Sequence, residues 1–370
     1  MAEGETMMRF LPALLAAALI AGLPLFAPAR AGEPIDLKLS ATKPYRHKPT
    51  GLIIPPVLDN IARTRASALT VDLDEFVEFK TAKGDEDITV YVFRHVNGSV
   101  PVWADRVAWQ IEHRDVYGGA KLAAPIAAFT PPGQANPSGL IGIYTPGKGP
   151  YRSTAFAFMP LGAEWYVAFR YSSVALKPDE LDGRLRAVIA ALEWPKMIDA
   201  QPDAAPIAYC TTPLALSGQA NPVVDENAMA AALLTSIVAI PIDSKDRKKQ
   251  PPAPAIRWCQ DTGRYDGLAS HGVYRPVDTT DRYLIAFGDA GVGAMSAPAD
   301  GSLEKLLKET NKDAPPNWTV TLLQLGKSSF YRRFDRLPPP DQLYAIVTRE
   351  PSQGSARTWG KNANITINTK

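Results

Sequence analysis

Residues 151–194 read YRSTAFAFMPLGAEWYVAFRYSSVALKPDELDGRLRAVIAALEW, and this stretch decides the fold. Two runs rich in aromatic and aliphatic residues, 151–159 and 164–171, predict β-strands. The connection between them is short, so we expect the two strands to pair side by side as an antiparallel hairpin. The stretch therefore predicts an antiparallel sheet.

A helix is predicted directly after this hairpin, over residues 178–192. Acidic residues crowd its first turn, where the helix dipole favours negative charge. Its apolar residues recur every three or four positions, which places them on one face. They are Leu181, Leu185, Val188, Ile189 and Leu192. A helix with one apolar face beside an antiparallel sheet is typical of an α+β fold.

The residues before this stretch repeat the combination of hairpin and helix. Strands are predicted over 71–80 and 88–95, on either side of the turn sequence KGDED, and they form a second hairpin. The other elements predicted here are a helix from Pro101 carrying Trp103, Val107 and Ile111 on one face, and strands over 126–130 and 139–144. We therefore expect residues 32–197 to form an N-terminal α+β domain, an antiparallel sheet with helices packed on it.

A second domain is predicted over residues 205–370. The sequence KMIDAQPDAAPIA at 196–208 has the composition of a linker. The elements predicted beyond it are helices over 225–238 and 302–309 and strands over 283–287, 319–325, 330–334 and 343–348. This half is also expected to be an α+β domain with an antiparallel sheet and packed helices.

The strand sequence FAFMPLGAEWYVAFRYSS followed by LDGRLRAVIAALEWP resembles the closing hairpin and helix of small exported bacterial proteins of unknown function. Their layout is similar to the PsbP/Mog1-like α+β sandwich. The resemblance covers residues 50–197 and consists of the order of elements and a few aromatic positions. It implies the α+β fold, and it implies no function because folds of this kind serve unrelated roles.

The N-terminus has the three-part layout of a secretory signal peptide over residues 1–31. Arg9 precedes an apolar stretch at 10–26, and Ala29 and Ala31 form an A-x-A site, which predicts cleavage between Ala31 and Gly32. An uncleaved membrane anchor is the alternative, although the apolar stretch is short for a span. We expect a soluble periplasmic or secreted bacterial protein with no integral membrane segment after cleavage.

Export changes the interpretation of the two cysteines. Cys210 and Cys259 lie in the same predicted domain, and two cysteines in an oxidising compartment tend to pair. A catalytic thiol and a metal pair are the alternatives, but neither cysteine has a histidine near it in sequence. The sequence therefore predicts a structural disulfide between Cys210 and Cys259.

The composition excludes several classes of function. The chain has 370 residues with only 2 cysteines and 4 histidines, too few for a cysteine-rich zinc framework. Its net charge of +2 opposes a nucleic-acid binder, whose domain is normally clearly basic. We expect no metal, no cofactor and no nucleic-acid partner.

The four histidines are the natural catalytic candidates because histidine titrates near neutrality. His47 lies in a basic, proline-rich segment and is predicted to be exposed, and His95 ends a strand. His113 lies in the last turn of the first helix, and His271 follows Ser270 in the loop GLASHGVYR. The nucleophile motif G-x-S-x-G is absent, so no catalytic residue is assigned.

Three further motifs have simple structural interpretations. The glycines of Gly288-Asp-Ala-Gly291-Val-Gly293 predict a hairpin turn and not a phosphate-binding loop, because the order of glycines is wrong for the latter. Ser302 starts the sequence S-x-x-K but suits a helix N-cap. The basic run at 245–249 is predicted to be a solvated loop.

These observations favour an exported, non-catalytic module that binds an envelope protein or a small ligand, or that assists envelope assembly. One alternative is a hydrolase with a non-standard site near His271 or His113. A second alternative is a carrier of a small apolar ligand, held in a cavity between a sheet and its helices.

Overall fold

The fold was taken from a computed structural model, which describes residues 33–95, 97–223, 256–299, 317–360 and 364–368. The elements of the first half are β1 Ile35–Asp36, β2 Tyr45–Arg46, β3 Ile53–Ile54, β4 Val57–Leu58, β5 Ile61–Thr70, β6 Asp74–Lys80, β7 Glu86–Arg94, α1 Val100–His113, β8 Lys121–Leu122, β9 Ala127–Phe129, β10 Gly139–Thr145, β11 Ser153–Pro160, β12 Trp165–Ser173 and α2 Pro178–Ala190. They include both predicted helices and both predicted hairpins of this half.

The first sheet has the strand order β1-β5-β6-β7-β12-β11-β10-β8, with β4 beside β5 and β9 beside β10. Its neighbouring strands are antiparallel, and the hairpin that decides the fold places Phe158 opposite Ala168. Strand β5, with the sequence IARTRASALT, was not predicted. Its arginines, threonines and alanines favour a strand only weakly. Hydrogen bonding to β6 holds this segment in the extended conformation.

The two helices of this half cover opposite faces of the first sheet. Val167 and Phe169 of β12 join the core under α2, whereas Tyr166 and Ala168 join the core under α1. Successive side chains of a strand point to opposite faces, so a strand covered on both sides is apolar along its whole length. This explains the nearly continuous apolar run FAFM in β11.

The elements of the second half are β13 Ala208–Tyr209, β14 Trp258–Gln260, β15 Gly272–Pro276, β16 Tyr283–Phe287, β17 Val292–Pro298, β18 Trp318–Gln324, β19 Lys327–Phe330, α3 Pro340–Arg349, β20 Gly354–Arg357 and β21 Ile365–Ile367. Its strands follow one another in chain order from β13 to β21 across a single sheet. The edge strand β13 pairs with β14 in parallel, and the other pairs are antiparallel.

Two predictions for the second half were wrong. Residues 343–348 form part of helix α3 and not a strand, because Leu343, Ile346 and Val347 are buried at helical spacing after a proline at the helix start. The predicted strand over 330–334 ends at Phe330 as β19, while Phe334 forms isolated bridges with Trp318 and Pro222. The predicted helices over 225–238 and 302–309, Ser302, the basic run at 245–249 and the signal peptide with its Ala31–Gly32 site lie outside the described residues.

The chain from Gly32 to Lys370 forms one compact unit. Helix α1 packs on β10 and β11 of the first sheet and on β14 and β16 of the second. Its core consequently contains Tyr274, Leu284 and Ala286 from the second half. The boundary predicted between residues 197 and 205 thus falls between two sheets whose cores meet at α1. No helix among the described residues is long and apolar enough to cross a bilayer.

Candidate functional site

The predicted disulfide between Cys210 and Cys259 is present, with a distance of 5.0 Å between the two Cα atoms. Cys259 lies in β14, and Cys210 directly follows the edge strand β13. The backbone N–H of Cys210 also donates to the carbonyl of Gln260 at 2.9 Å. The disulfide therefore fastens the sheet edge at the point where the chain enters the loop 261–271.

This loop forms one side of an open cleft with a volume of about 370 Å³, which we call the His271 cleft. Its lining residues come from the end of β14, the loop and the start of β15. They are Gln260, Asp261, Gly263, Arg264, Tyr265, Leu268, Ala269, His271, Gly272 and Val273. The volume lies in the range that small-molecule sites occupy.

Asp261 holds the loop in shape. Its Oδ1 accepts hydrogen bonds from the Tyr265 hydroxyl at 2.7 Å and from the Gly263 N–H at 2.8 Å. Its Oδ2 lies 3.7 Å from Nε of the fully buried Arg275, which balances the carboxylate charge. Burial, and then the hydrogen bond to Asp261, raises the pKa of Tyr265, so this hydroxyl stays protonated. The carboxylate of Asp261 is thus committed to the fold of the loop.

Two successive turns complete the loop. The N–H of Leu268 donates to the Tyr265 carbonyl at 3.3 Å, and the N–H of His271 donates to the Leu268 carbonyl at 2.9 Å. Gly267, between them, has a φ of +76°, a left-handed conformation that favours glycine. The turns bring Leu268 and His271 to the same cleft.

His271 is wedged among aromatic rings. Its ring centroid lies 5.1 Å from that of Phe287 and 5.3 Å from that of Tyr344, which is on α3. Its Nδ1 is buried and has no hydrogen-bond partner in the described part of the protein. Burial, and then the positive charge of Arg106, lowers the pKa of His271, so the ring is neutral at neutral pH. His271 therefore presents an unsatisfied polar atom and no charge.

Arg264 is exposed on the rim of the His271 cleft. Within the ranges that the structure describes, its guanidinium forms no ion pair, in contrast to Arg275 behind the loop. The lining of the cleft thus carries one uncompensated positive charge.

The other rival site, at His113, has a different environment. His113 lies in the last turn of α1, as predicted, and its side chain is exposed. Its ring stacks on Trp109 with the centroids 4.2 Å apart, and its Nδ1 lies 2.9 Å from the Trp109 carbonyl oxygen. The contacts of His113 are therefore local contacts within one helix.

The prediction that His47 is exposed was wrong, because its side chain is completely buried. Its Nδ1 bonds to the Thr50 hydroxyl at 2.8 Å, and its Nε2 lies 3.9 Å from Oε2 of the buried Glu75. Burial lowers the pKa of His47 to about 4. In the structure Tyr45 and His47 are buried and Arg46 between them is exposed, as in a strand with one buried face. The flanking lysines and prolines hid this alternation in the sequence.

His95 follows strand β7 and stacks on Tyr166, with the ring centroids 3.9 Å apart. Burial, and then the charge of Arg94, lowers the pKa of His95 to about 4. His95 and His47 are both neutral near neutral pH, and their rings are held by packing. Neither lines the His271 cleft.

The glycine motif forms the predicted hairpin turn between β16 and β17. Side chains of the first half hold this turn from outside the hairpin. Arg106 Nε donates to the Gly288 carbonyl at 3.2 Å, Asn97 Nδ2 donates to the Gly291 carbonyl at 3.0 Å, and Arg170 pairs with the carboxylate of Asp289. The turn is therefore a contact between the two halves of the fold.

Sequence reasoning missed a carboxylate pair beside this turn. Burial, and then the charges of Asp289 and Glu75, raises the pKa of the buried Asp74 to about 7. Asp74 and Asp289 lie far apart in sequence, and only the docking of the turn against the first sheet brings their charges together. No feature of the sequence could have paired them.

The described residues contain no group of three or more histidine, cysteine, aspartate or glutamate side chains that could hold a metal ion. Comparisons of the chain with models of protein families, with curated proteins and with solved structures found no match in any of the three.

Proposed function

We propose that the chain is an exported, non-catalytic module that binds a small molecule in the His271 cleft. The observation that carries this proposal is an open, preformed cleft. Hydrogen bonds and an ion pair of Asp261 hold the loop that lines it. Asp261 and Arg275 neutralise each other beneath the loop, while the exposed guanidinium of Arg264 on the rim has no ion pair within the described ranges. A preformed cleft with a few fixed polar groups is the usual form of a small-ligand site.

The chemistry of His271 favours binding over hydrolysis. In a Ser-His-Asp triad, Nδ1 donates to a carboxylate that orients the ring. In the described part of the protein, Nδ1 of His271 has no partner, and Asp261, the carboxylate that lines the cleft, is already bonded to Tyr265 and Gly263. The ring is also fixed by Phe287 instead of by a carboxylate.

The packing of the helices does not support the apolar carrier. Such a carrier needs space between a sheet and its helices. The side chains of α2 that face the sheet are almost completely buried against it, as are those of α1. The cleft lies elsewhere, at the edge of the second sheet, and its rim carries a charged residue.

Export is part of this proposal. Its support is the signal-peptide pattern over residues 1–31 together with the Cys210–Cys259 disulfide, since disulfides persist mainly in oxidising compartments. The periplasm or the exterior of a bacterium is the proposed location. We also propose the PsbP/Mog1-like layout of residues 50–197, on the order of its predicted elements. The division into two domains is proposed on the linker composition of residues 196–208.

A screen with ligand-observed NMR tests the binding function. The mature protein is mixed with a library of small anionic, neutral and cationic compounds in equal proportion. We expect binders whose signals disappear in Ala269→Trp, because Ala269 is an exposed lining residue and an indole there fills the cleft.

The matched control is Ala187→Trp, which places the same side chain on the exposed face of α2, away from the cleft. This variant should keep every binder. Binders that survive in Ala269→Trp, or a library without any binder, would contradict the proposed function.

A further inference from the structure

We propose that the His271 cleft binds a small organic acid, with the carboxylate at Arg264 and the apolar body against Leu268 and Val273. This inference rests on the proposed function, because it names the class of ligand that the same cleft takes.

The charge of the lining selects an anion. Only two residues that line the cleft carry a full charge at neutral pH, Asp261 and Arg264. The charge of Asp261 is balanced by the buried Arg275, and its Oδ1 accepts hydrogen bonds from the hydroxyl of Tyr265 and the N–H of Gly263. Arg264 has no such partner within the described ranges. An anionic group of the ligand would pair with its guanidinium.

A second positive charge lies near His271, whereas the negative charge of Asp341 acts on the Tyr265 hydroxyl at another part of the lining. Arg106 is almost completely buried, and Nη2 of its guanidinium donates to the carbonyl of Ser270 at 2.6 Å, next to His271. Its charge reaches His271, since it contributes to the lowered pKa of that ring. At the His271 side of the cleft, the charge of Arg106 therefore favours a negative ligand over a positive one.

The number of charges favours a monoanion. His271 is neutral at neutral pH, so it adds a hydrogen-bonding atom without a second positive charge. Arg264 can match one carboxylate with two parallel hydrogen bonds. A phosphate dianion would need further donors, and Gly263, which precedes Arg264 in the loop, already gives its N–H to Asp261.

The interior of the cleft suits an apolar body. Leu268 and Val273 line it and are otherwise buried in the core under α3, and the ring of Tyr265 lines it as well. The combination describes an amphipathic acid, one end charged and the rest mainly apolar.

The test uses three probes on the mature protein, namely benzoate, benzamide and inorganic phosphate, with affinities measured by NMR titration. Benzamide has the shape of benzoate without the charge. We expect benzoate to bind at least about tenfold more tightly than benzamide. This is the ratio of dissociation constants expected from one charge-assisted hydrogen-bonded pair. Benzoate affinity should fall as the salt concentration rises, because Arg264 is exposed to solvent.

Arg264→Gln should reduce the affinity for benzoate to the level seen with benzamide. Asp266→Asn is the matched control, since Asp266 is exposed two positions along the same loop and does not line the cleft. It should leave benzoate binding as tight as before or tighter. Both residues are on the surface, so neither variant threatens the fold.

Several outcomes would overturn the inference. They are benzoate affinity unchanged in Arg264→Gln, equal binding of benzamide and benzoate, tighter binding of phosphate than of benzoate, or no binding at millimolar benzoate. If these occur while neutral or cationic library compounds bind and are blocked by Ala269→Trp, the choice of an acid fails and the binding function stands. If Ala269→Trp blocks nothing, the binding function itself fails.

Discussion

Asp74→Asn should stabilise the protein above neutral pH. Asp74 is buried at the start of β6, and the turn that carries Asp289 docks against this part of the first sheet. Burial, and then the charges of Asp289 and Glu75, raises the pKa of Asp74 to about 7 from its ordinary 3.8. The folded protein therefore holds the proton of Asp74 more tightly than the unfolded chain does.

The sign and size of the effect follow from this difference. Between pH 3.8 and about 7 the folded state binds more protons at Asp74 than the unfolded state, so stability falls as the pH rises. The two pKa values differ by about 3, and each unit corresponds to about 1.4 kcal/mol, which gives a penalty of about 4 kcal/mol above neutrality. An asparagine has the same shape and no charge, so the variant lacks this penalty.

The two buried histidines act in the opposite direction. The pKa values of His47 and His95 are lowered from 6.5 to about 4, so the stability they contribute is complete above pH 6.5 and is lost as the pH falls toward 4. In the unmodified protein Asp74 offsets part of this acid loss. As the pH falls, the stability of Asp74→Asn should consequently decrease more steeply than that of the unmodified protein. Above neutral pH the variant should be the more stable of the two.

The assay is urea unfolding followed by tryptophan fluorescence, at intervals from pH 4.5 to pH 8.5. The control is Asp203→Asn, an exposed position, which should follow the unmodified protein. The stability difference between Asp74→Asn and the unmodified protein should grow steadily up to pH 7 and then level off. A difference that is constant with pH, or one that shrinks toward basic pH, would refute the assignment of a raised pKa to Asp74.

Two further predictions concern links within the fold. Replacing both Cys210 and Cys259 by serine should lower the free energy of unfolding by about 2–4 kcal/mol. Reducing agent should have no further effect on this variant. An unchanged urea midpoint would contradict a stabilising disulfide. Tyr274→Phe should cost about 1–3 kcal/mol, because the hydroxyl of Tyr274 donates to the half-buried Asp105 across the contact of the two halves. Tyr209→Phe, at an exposed edge strand, should be neutral, and equal effects of the two tyrosine variants would show that the Asp105 bond contributes nothing.

The elements that could be predicted are those whose signal is local. The hairpin of β11 and β12 has long apolar runs, and α2 has a regular apolar stripe, so short-range patterns suffice. Strand β5 lacks such a run, and its order comes from β6 beside it. Helix α3 was mistaken for a strand because Ile346, Val347 and Thr348 are β-branched, whereas the proline start and the burial spacing favour a helix.

The candidate site was only partly visible in the sequence. The disulfide followed from the compartment and the cysteine count, and His271 was identified as a loop histidine. The balance between Asp261 and Arg275 could not be foreseen, because it depends on the loop folding back on the sheet. The burial of His47 likewise depends on packing against Trp165, far along the chain. Charges paired across such distances leave no periodic pattern.

The central claim is that the His271 cleft is the ligand site, and the chain offers a direct measurement of it. The protein has only 4 histidines, so selective isotope labelling of histidine gives an NMR spectrum with one ring signal each for His47, His95, His113 and His271. During titration with the tightest binder of the library, we expect a saturable shift of the His271 signal while the other three stay in place. Saturable binding that leaves His271 unmoved, or that shifts another histidine instead, would contradict it.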